Sequence, residues 1–266
     1  MVNSLRHFLL AVQFFTRIPV TGALAQWVGY SPAMLRASAA HFPGIGWLVG
    51  AFCAGTALLL QAGLPMVPMA GLVAAVVVTM ASALLTGAFH EDGLADVFDG
   101  LGGSLERGRA LDIMKDSRIG VFGALALVLV LLLKLALLAL LWSVEPLLMA
   151  WALFAAHVVS RFFPLMLVRG MHHVGDEGSS KSKPLADQIS SRSLSVALLW
   201  TLLALALVST AVPSLPLAWP LLASTLACLM LWRWFHRRLQ GFTGDCLGAT
   251  QQVCESAFYL GMALTL

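Results

Sequence analysis

The chain has 266 residues, of which 59% are hydrophobic and 11% charged, whereas a soluble domain carries about 25% charged residues. Its formal net charge is only +3, and the basic residues are scattered over several loops, so no run can track a nucleic-acid backbone and a nucleic-acid partner is excluded. The apolar residues fall in long uninterrupted blocks, for which lipid and not water is the matching solvent.

The segment from Met1 to Pro19 mixes apolar residues with Arg6, His7, Gln13 and Arg17 and has no small-residue cleavage pattern. It predicts an amphipathic helix at the membrane interface. A helix crosses the hydrocarbon layer with roughly 20 apolar residues, because every backbone polar group must be satisfied internally. Seven segments meet or approach that length: 44–62, 66–89, 119–142, 147–168, 194–212, 216–235 and 247–266, the last interrupted by Gln251, Gln252 and Glu255. The expected fold is all-α, a polytopic membrane helical bundle of about seven transmembrane helices preceded by the amphipathic helix. With no internal repeat or linker, residues 1–266 read as a single domain.

Gly63 to Pro65, Ser143 to Pro146 and Pro213 to Leu215 are short connections without Lys or Arg. The opposite ends carry Arg6, Arg17 and Arg36, then Arg107, Arg109, Lys115 and Arg118, then Arg169, Lys181, Lys183 and Arg192, and finally Arg233, Arg237 and Arg238. The positive-inside rule places those ends and the N-terminus in the cytoplasm and the C-terminus outside. Trp47, Trp142, Trp151, Trp219, Trp232 and Trp234 fall near span ends, as an interfacial belt requires. Cys53, Cys228, Cys246 and Cys254 form no CxxC pair and read as structural.

Over half of the 13 acidic residues lie between His90 and Asp116, about a tenth of the chain. If the helix of the second apolar block continues through this segment, Asp92, Asp96 and Asp99 share one face. Three like charges on one stripe call for a cation, and hard carboxylate oxygens suit Mg²⁺, which also binds through substrate phosphates. Asp112 and Asp116, again four apart, would open the third span beside Lys115 and Arg118. Five aspartates could then converge where two spans meet one membrane edge.

Other polar residues fall at membrane depth, where ionisable groups face a cavity or a partner. Arg161 could reach a substrate phosphate or form a structural ion pair; Lys134 could snorkel or pair with Glu255. Asp245 stands at the entrance of the last span, as a helix cap or as part of a site. The polar stretch 170–193 is long enough for a lid, and its His172, His173 and Asp176 lack the spacing of a transition-metal site.

Asp96-x-x-Asp99-Gly100 followed by Gly108-x-x-x-Asp112-x-x-x-Asp116 resembles the signature of CDP-alcohol phosphotransferases, DxxDGxxAR and then GxxxDxxxD. Gly103-Ser104 replaces the Ala-Arg pair, and the spacer is shorter. A resemblance to the cobalamin synthase (adenosylcobinamide-GDP ribazoletransferase) family covers nearly the whole chain. It rests on Phe15-Thr16-Arg17-Ile18-Pro19, Phe42-Pro43-Gly44-Ile45-Gly46, Thr86 through Asp96, Met114-Lys115-Asp116-Ser117-Arg118-Ile119-Gly120 and Thr243 through Ala249. It implies a Mg²⁺-dependent, multi-pass enzyme of the inner membrane with its site facing the cytoplasm. Such an enzyme joins α-ribazole or its 5′-phosphate to adenosylcobinamide-GDP and releases GMP.

Displacing a nucleoside monophosphate from a diphosphate needs charge neutralisation, a positioned alcohol and a base. Asp92, Asp96, Asp99 and Asp112 are the expected metal ligands. Asp116 or His90 is the expected base, and Lys115, Arg118, Arg161 and Asp245 are expected to hold substrate. The lipid bilayer is an expected partner, and assembly with further copies stays open. A prenyltransferase would turn over a prenyl diphosphate instead, and a transporter would line several spans with polar groups at mid-membrane.

Overall fold

The computed structural model describes residues 2–65, 67–175, 188–213 and 215–266. Among these residues all regular elements are helices, and the one β feature is an isolated bridge between His173 and Phe242. Helix α1 (Val2–Phe15) buries Leu10, Ala11, Val12 and Phe15 and exposes Val2 and Leu5. It is amphipathic as expected, and its apolar side lies on the bundle. Two short helices that the sequence did not suggest follow, α2 (Gly22–Val28) and α3 (Pro32–Ser38). Ser31 caps α3 by accepting from Met34 N at 3.1 Å, with Pro32 in the first turn where no N–H is needed.

The bundle proper consists of α4 (Phe42–Gly63), α5 (Ala70–Thr86), α6 (Phe89–Gly103), α7 (Arg107–Met114), α8 (Val121–Val144), α9 (Pro146–Gly170), α10 (Ser191–Ala211), α11 (Ala218–Arg238) and α12 (Gly244–Ala263). By length and composition Pro32–Gly63, α8, α9 and α10 can each cross a bilayer, and α5 with α6 adds a fifth crossing if the bent pair counts as one. Four or five of the seven expected spans therefore meet that test. Helix α12 falls short for a visible reason: its polar residues Thr250, Gln251, Gln252, Glu255 and Ser256 are all buried, so they face protein and not lipid.

Two expected continuities do not hold. The second apolar block ends at Thr86, where Gly87 (φ 71°) and Ala88 (φ 56°) both take left-handed backbone. That conformation cannot propagate a right-handed helix, so α6 leaves α5 at 91° and does not continue its crossing. The freed carbonyl of Leu85 accepts from Arg17 N at 2.7 Å. Likewise Asp112 and Asp116 do not open the third span: they sit at the end of the separate helix α7, and α8 starts at Val121.

Small residues let the helices approach closely, as in other membrane bundles. Gly46 and Gly50 of α4 lie against the backbone at His157 and Phe154 of α9. Helix α12 is the hub, packed on α6, α8, α9 and α11. Its inward side joins a buried polar network. Lys134 Nζ meets Glu255 Oε1 at 2.6 Å, the second of the two arrangements the sequence left open, with both side chains 1% exposed. Glu255 also accepts from Gln251 Nε2 (2.7 Å) and Tyr259 OH (3.0 Å), and Gln251 donates to Ser160 Oγ (3.0 Å). The charges survive at this depth because each is paired and hydrogen-bonded.

Candidate active site

Helix α6 carries the expected acidic stripe. Asp92 is exposed, Asp96 half-buried and Asp99 buried. The N-terminus of α12 crosses α6 where both chains are glycine. A Cβ on Gly93 would stand 2.8 Å from the Asp245 carbonyl oxygen, and one on Gly248 would stand 3.2 Å from the His90 carbonyl oxygen. Only this close approach brings Asp245, 149 positions further along the chain than Asp96, up to the stripe. Thr243 caps α12 by accepting from Cys246 N, which leaves Asp245 in the first turn and not at the cap itself.

Convergence of the acids is visible in their electrostatics. Burial raises the Asp96 carboxyl to about 7, and the negative charges of Asp245, Asp92 and Asp99 add to the effect. Burial likewise lifts Asp245 to about 6, against a hydrogen bond from Thr243 and with help from the charge of Asp92. Groups poised this far above an ordinary carboxylate mark a cluster that would gain from a cation or a proton.

Asp99 belongs to this stripe but is engaged elsewhere. Its Oδ2 accepts from Gly120 N and its Oδ1 from Gly123 N, each at 2.7 Å. The carboxylate therefore satisfies two of the orphan donors at the start of α8 and complements the dipole there. Asp112 and Asp116 form a second group. Asp112 lies 3.9 Å from Lys115 Nζ. Asp116 takes a bidentate pair from Arg118, with NH2 to Oδ2 at 2.6 Å and Nε to Oδ1 at 3.0 Å. Those hydrogen bonds hold the Asp116 carboxyl down to about 2. Neither acid is among the charges that raise Asp96.

His90 is 2% exposed and lies in a stack. Its ring is parallel to Phe42 (5.8 Å, 14°), and the Arg161 guanidinium covers that phenyl ring at 5.7 Å. Arg161 donates to the His157 carbonyl at 2.8 Å and lies beside His157 Nδ1 at 3.1 Å, so it is a buried strut one ring away from His90. Two neighbours that sequence did not single out complete the picture. Glu91 Oε1 accepts from Gln252 Nε2 at 3.1 Å, tying α6 to the buried network. Arg238 donates to the carbonyls of Leu101 (3.1 Å) and Ser104 (2.5 Å), fixing the other end of α6. His173 is held by the bridge to Phe242; Asp176, and residues 176–187 of the expected lid, lie outside the described residues.

Among the described residues no three His, Cys, Asp or Glu side chains enclose a metal position by themselves. The donor set still fits Mg²⁺, which uses one or two carboxylates and completes its shell with water and substrate phosphates.

Fold and site together define a helical membrane protein whose clustered carboxylates lie on one acidic helix crossed by the start of another. The family model for cobalamin-5-phosphate synthase matches residues 7–263, and the chain belongs to that family. It is 59% identical to the adenosylcobinamide-GDP ribazoletransferase of Albidiferax ferrireducens and 60% identical to that of Polaromonas naphthalenivorans, over the full length of both chains in each case. It is 41% identical to the Vibrio cholerae protein of that name, covering 97% of this chain and 93% of the relative. No solved structure matches.

Proposed function

We propose that this chain transfers the adenosylcobinamide-phosphate moiety of adenosylcobinamide-GDP to α-ribazole or α-ribazole 5′-phosphate and releases GMP. The reaction is a late step of cobalamin biosynthesis. The ribazole hydroxyl oxygen bonds to the corrinoid-side phosphorus, the bond from that phosphorus to the bridging oxygen breaks, and the hydroxyl proton passes to a base. The observation that carries this reading is the α6–α12 crossing, which sets Asp245 beside Asp92 and Asp96 in a chain of this family.

Asp92 and Asp96 are the residues that would hold Mg²⁺. Bound there, the ion would neutralise phosphate charge, as phosphoryl transfer requires. Asp245, raised to about 6, suits the base, because an effective base has a pKa near the working pH. Asp116 is held near 2 by Arg118 and suits it less. His90 keeps its Nε2 without a partner among the described residues but is walled in by Phe42 and Phe89. Asp99 positions α8 against α6. Lys115 and Arg118 supply the charge that can exchange Asp112 and Asp116 for substrate phosphates. The basic residues at this end of the bundle support, by the positive-inside rule, a site on the cytoplasmic side of the inner membrane.

The test is an assay of the full chain in lipid nanodiscs with adenosylcobinamide-GDP, α-ribazole and Mg²⁺. Formation of GMP together with cobalamin is expected, and folded protein that yields neither rules the reading out.

A further inference from the structure

On the side of α6 away from the acidic stripe, a groove of about 530 Å³ opens between helices α6, α8, α11 and α12. Its walls are apolar: Phe98 of α6, Val130 of α8, Met230 and Trp234 of α11, and Val253 of α12. Phe98 packs edge-on to Trp234 with ring centroids 5.4 Å apart and closes one wall. Phe98 is two residues from Asp96, about 200° round the helix, so the groove backs the stripe without sharing its face.

Two cations stand on the rim, Arg233 and Arg237. Four apart, they leave α11 on one side, and both are exposed. Neither guanidinium has a hydrogen-bond or carboxylate partner among the described residues. Their neighbours differ. Arg238 is spent on the carbonyls of Leu101 and Ser104, and Arg107 Nε donates to the Leu239 carbonyl at 2.7 Å. Towards its N-terminal end α11 exposes Leu222, Leu226 and Leu229, from 48% to 58%. That apolar face suits contact with hydrocarbon.

An apolar trough capped by two uncompensated guanidiniums is complementary to an amphiphile of opposite charge. Arginine pairs with phosphate through a planar fork of donors, and basic pockets between membrane helices select anionic headgroups. We propose that this groove binds an anionic phospholipid, its phosphate held by Arg233 and Arg237 and an acyl chain laid along Phe98, Val130, Met230 and Val253. The site is separate from the carboxylate cluster and does not depend on the reaction proposed above.

Native mass spectrometry of the full chain released from detergent, titrated with phosphatidylglycerol or phosphatidylcholine, tests it. Phosphatidylglycerol should be retained in preference to phosphatidylcholine. The pair Arg233→Gln with Arg237→Gln should weaken retention of phosphatidylglycerol by roughly 30-fold, from the usual strength of two surface cations. The Lys pair at the same positions should stay within roughly fivefold of the parent. Equal retention of both lipids, or undiminished phosphatidylglycerol binding by the Gln pair, overturns the proposal. So does a second copy of the chain in the groove, seen as a dimer that phosphatidylglycerol does not dissociate. Should the Gln pair fail to fold, Val130→Trp fills the trough with both arginines intact, and continued lipid retention by that variant overturns the proposal equally.

Discussion

Gln252 on α12 donates to Glu91 on α6 at 3.1 Å across 161 positions of sequence. The other Glu91 oxygen has no partner among the described residues, so this bond is the main fixed point of a buried carboxylate beside the acidic stripe. Because Glu91 precedes Asp92 directly, the bond also limits rotation of α6 about its axis. Gln252→Leu should therefore lower stability by about 1–3 kcal/mol, the cost of stranding a buried polar group. Adding Glu91→Gln, which removes the charge, should recover part of that loss. Thermal unfolding of the four proteins in detergent gives the coupling, and strictly additive effects would contradict it.

Asp99 divides the metal reading from the structural one. Asp99→Ala should cost about 1–2 kcal/mol, since it removes a side-chain acceptor from two N–H groups at the start of α8. Asp99→Asn keeps one strong acceptor and should retain most of the stability and measurable transfer. Complete loss of activity in well-folded Asp99→Asn would return Asp99 to the metal ligands.

Asp96 should behave differently. Asp96→Asn is expected to lower turnover by roughly 100-fold or more, the usual effect of losing a group that supports transition-state charge. Asp112→Asn, at an exposed acid that does not influence Asp96, should fall by much less. Chelation with EDTA should abolish the reaction, and added Mg²⁺ should restore it. Comparable rates for parent and Asp96→Asn at saturating Mg²⁺ would remove Asp96 from the site.

The raised acids also predict a pH effect on the metal-free protein. Asp96 titrates near 7 and Asp245 near 6 when folded, against about 3.9 in an unfolded chain. Between about pH 4 and 7 the folded state then binds more protons than the unfolded state, so stability falls as pH rises through that window. Melting in EDTA should accordingly be higher at pH 5 than at pH 8. Mg²⁺ relieves the same repulsion, so it should raise the melting temperature more at pH 8 than at pH 5. An equal Mg²⁺ effect at both values would separate the ion from these carboxylates.

Much of this arrangement is legible in the sequence because it depends on local spacing. The acidic stripe at offsets of four and seven, the apolar blocks and the amphipathic N-terminus are all properties of short windows. The Lys134–Glu255 pair is legible too, since a lone lysine and a lone glutamate at membrane depth have few other partners. The break at Gly87–Ala88 is not: nothing but one glycine interrupts an apolar run, and the left-handed turn is stabilised from outside by Arg17 donating to Leu85. Recruitment of Asp245 and Gln252 depends on which glycine faces which across α6 and α12, a tertiary fact that periodicity cannot carry. The polar residues of α12, which look in sequence like flaws in a membrane span, are the inward face of the hub.

That crossing supplies the most direct test of the site. A Cβ on Gly93 would stand 2.8 Å from the Asp245 carbonyl oxygen and 3.0 Å from its Cα, and backbone cannot move aside as a flexible side chain can. Gly93→Ala should force α12 away from α6 at a cost of about 1–3 kcal/mol, and Gly93→Val should cost more. Separation takes the Asp245 charge from Asp96, so the Asp96 carboxyl should titrate lower than its parent value of about 7. Carbon-13 NMR of labelled aspartate reads that shift directly. Turnover should fall in the same variants, while the Asp99 cap on α8, at the far end of α6, persists. A Gly93→Ala protein with parental turnover and an unmoved Asp96 titration would mean that Asp245 acts without contact between the two helices.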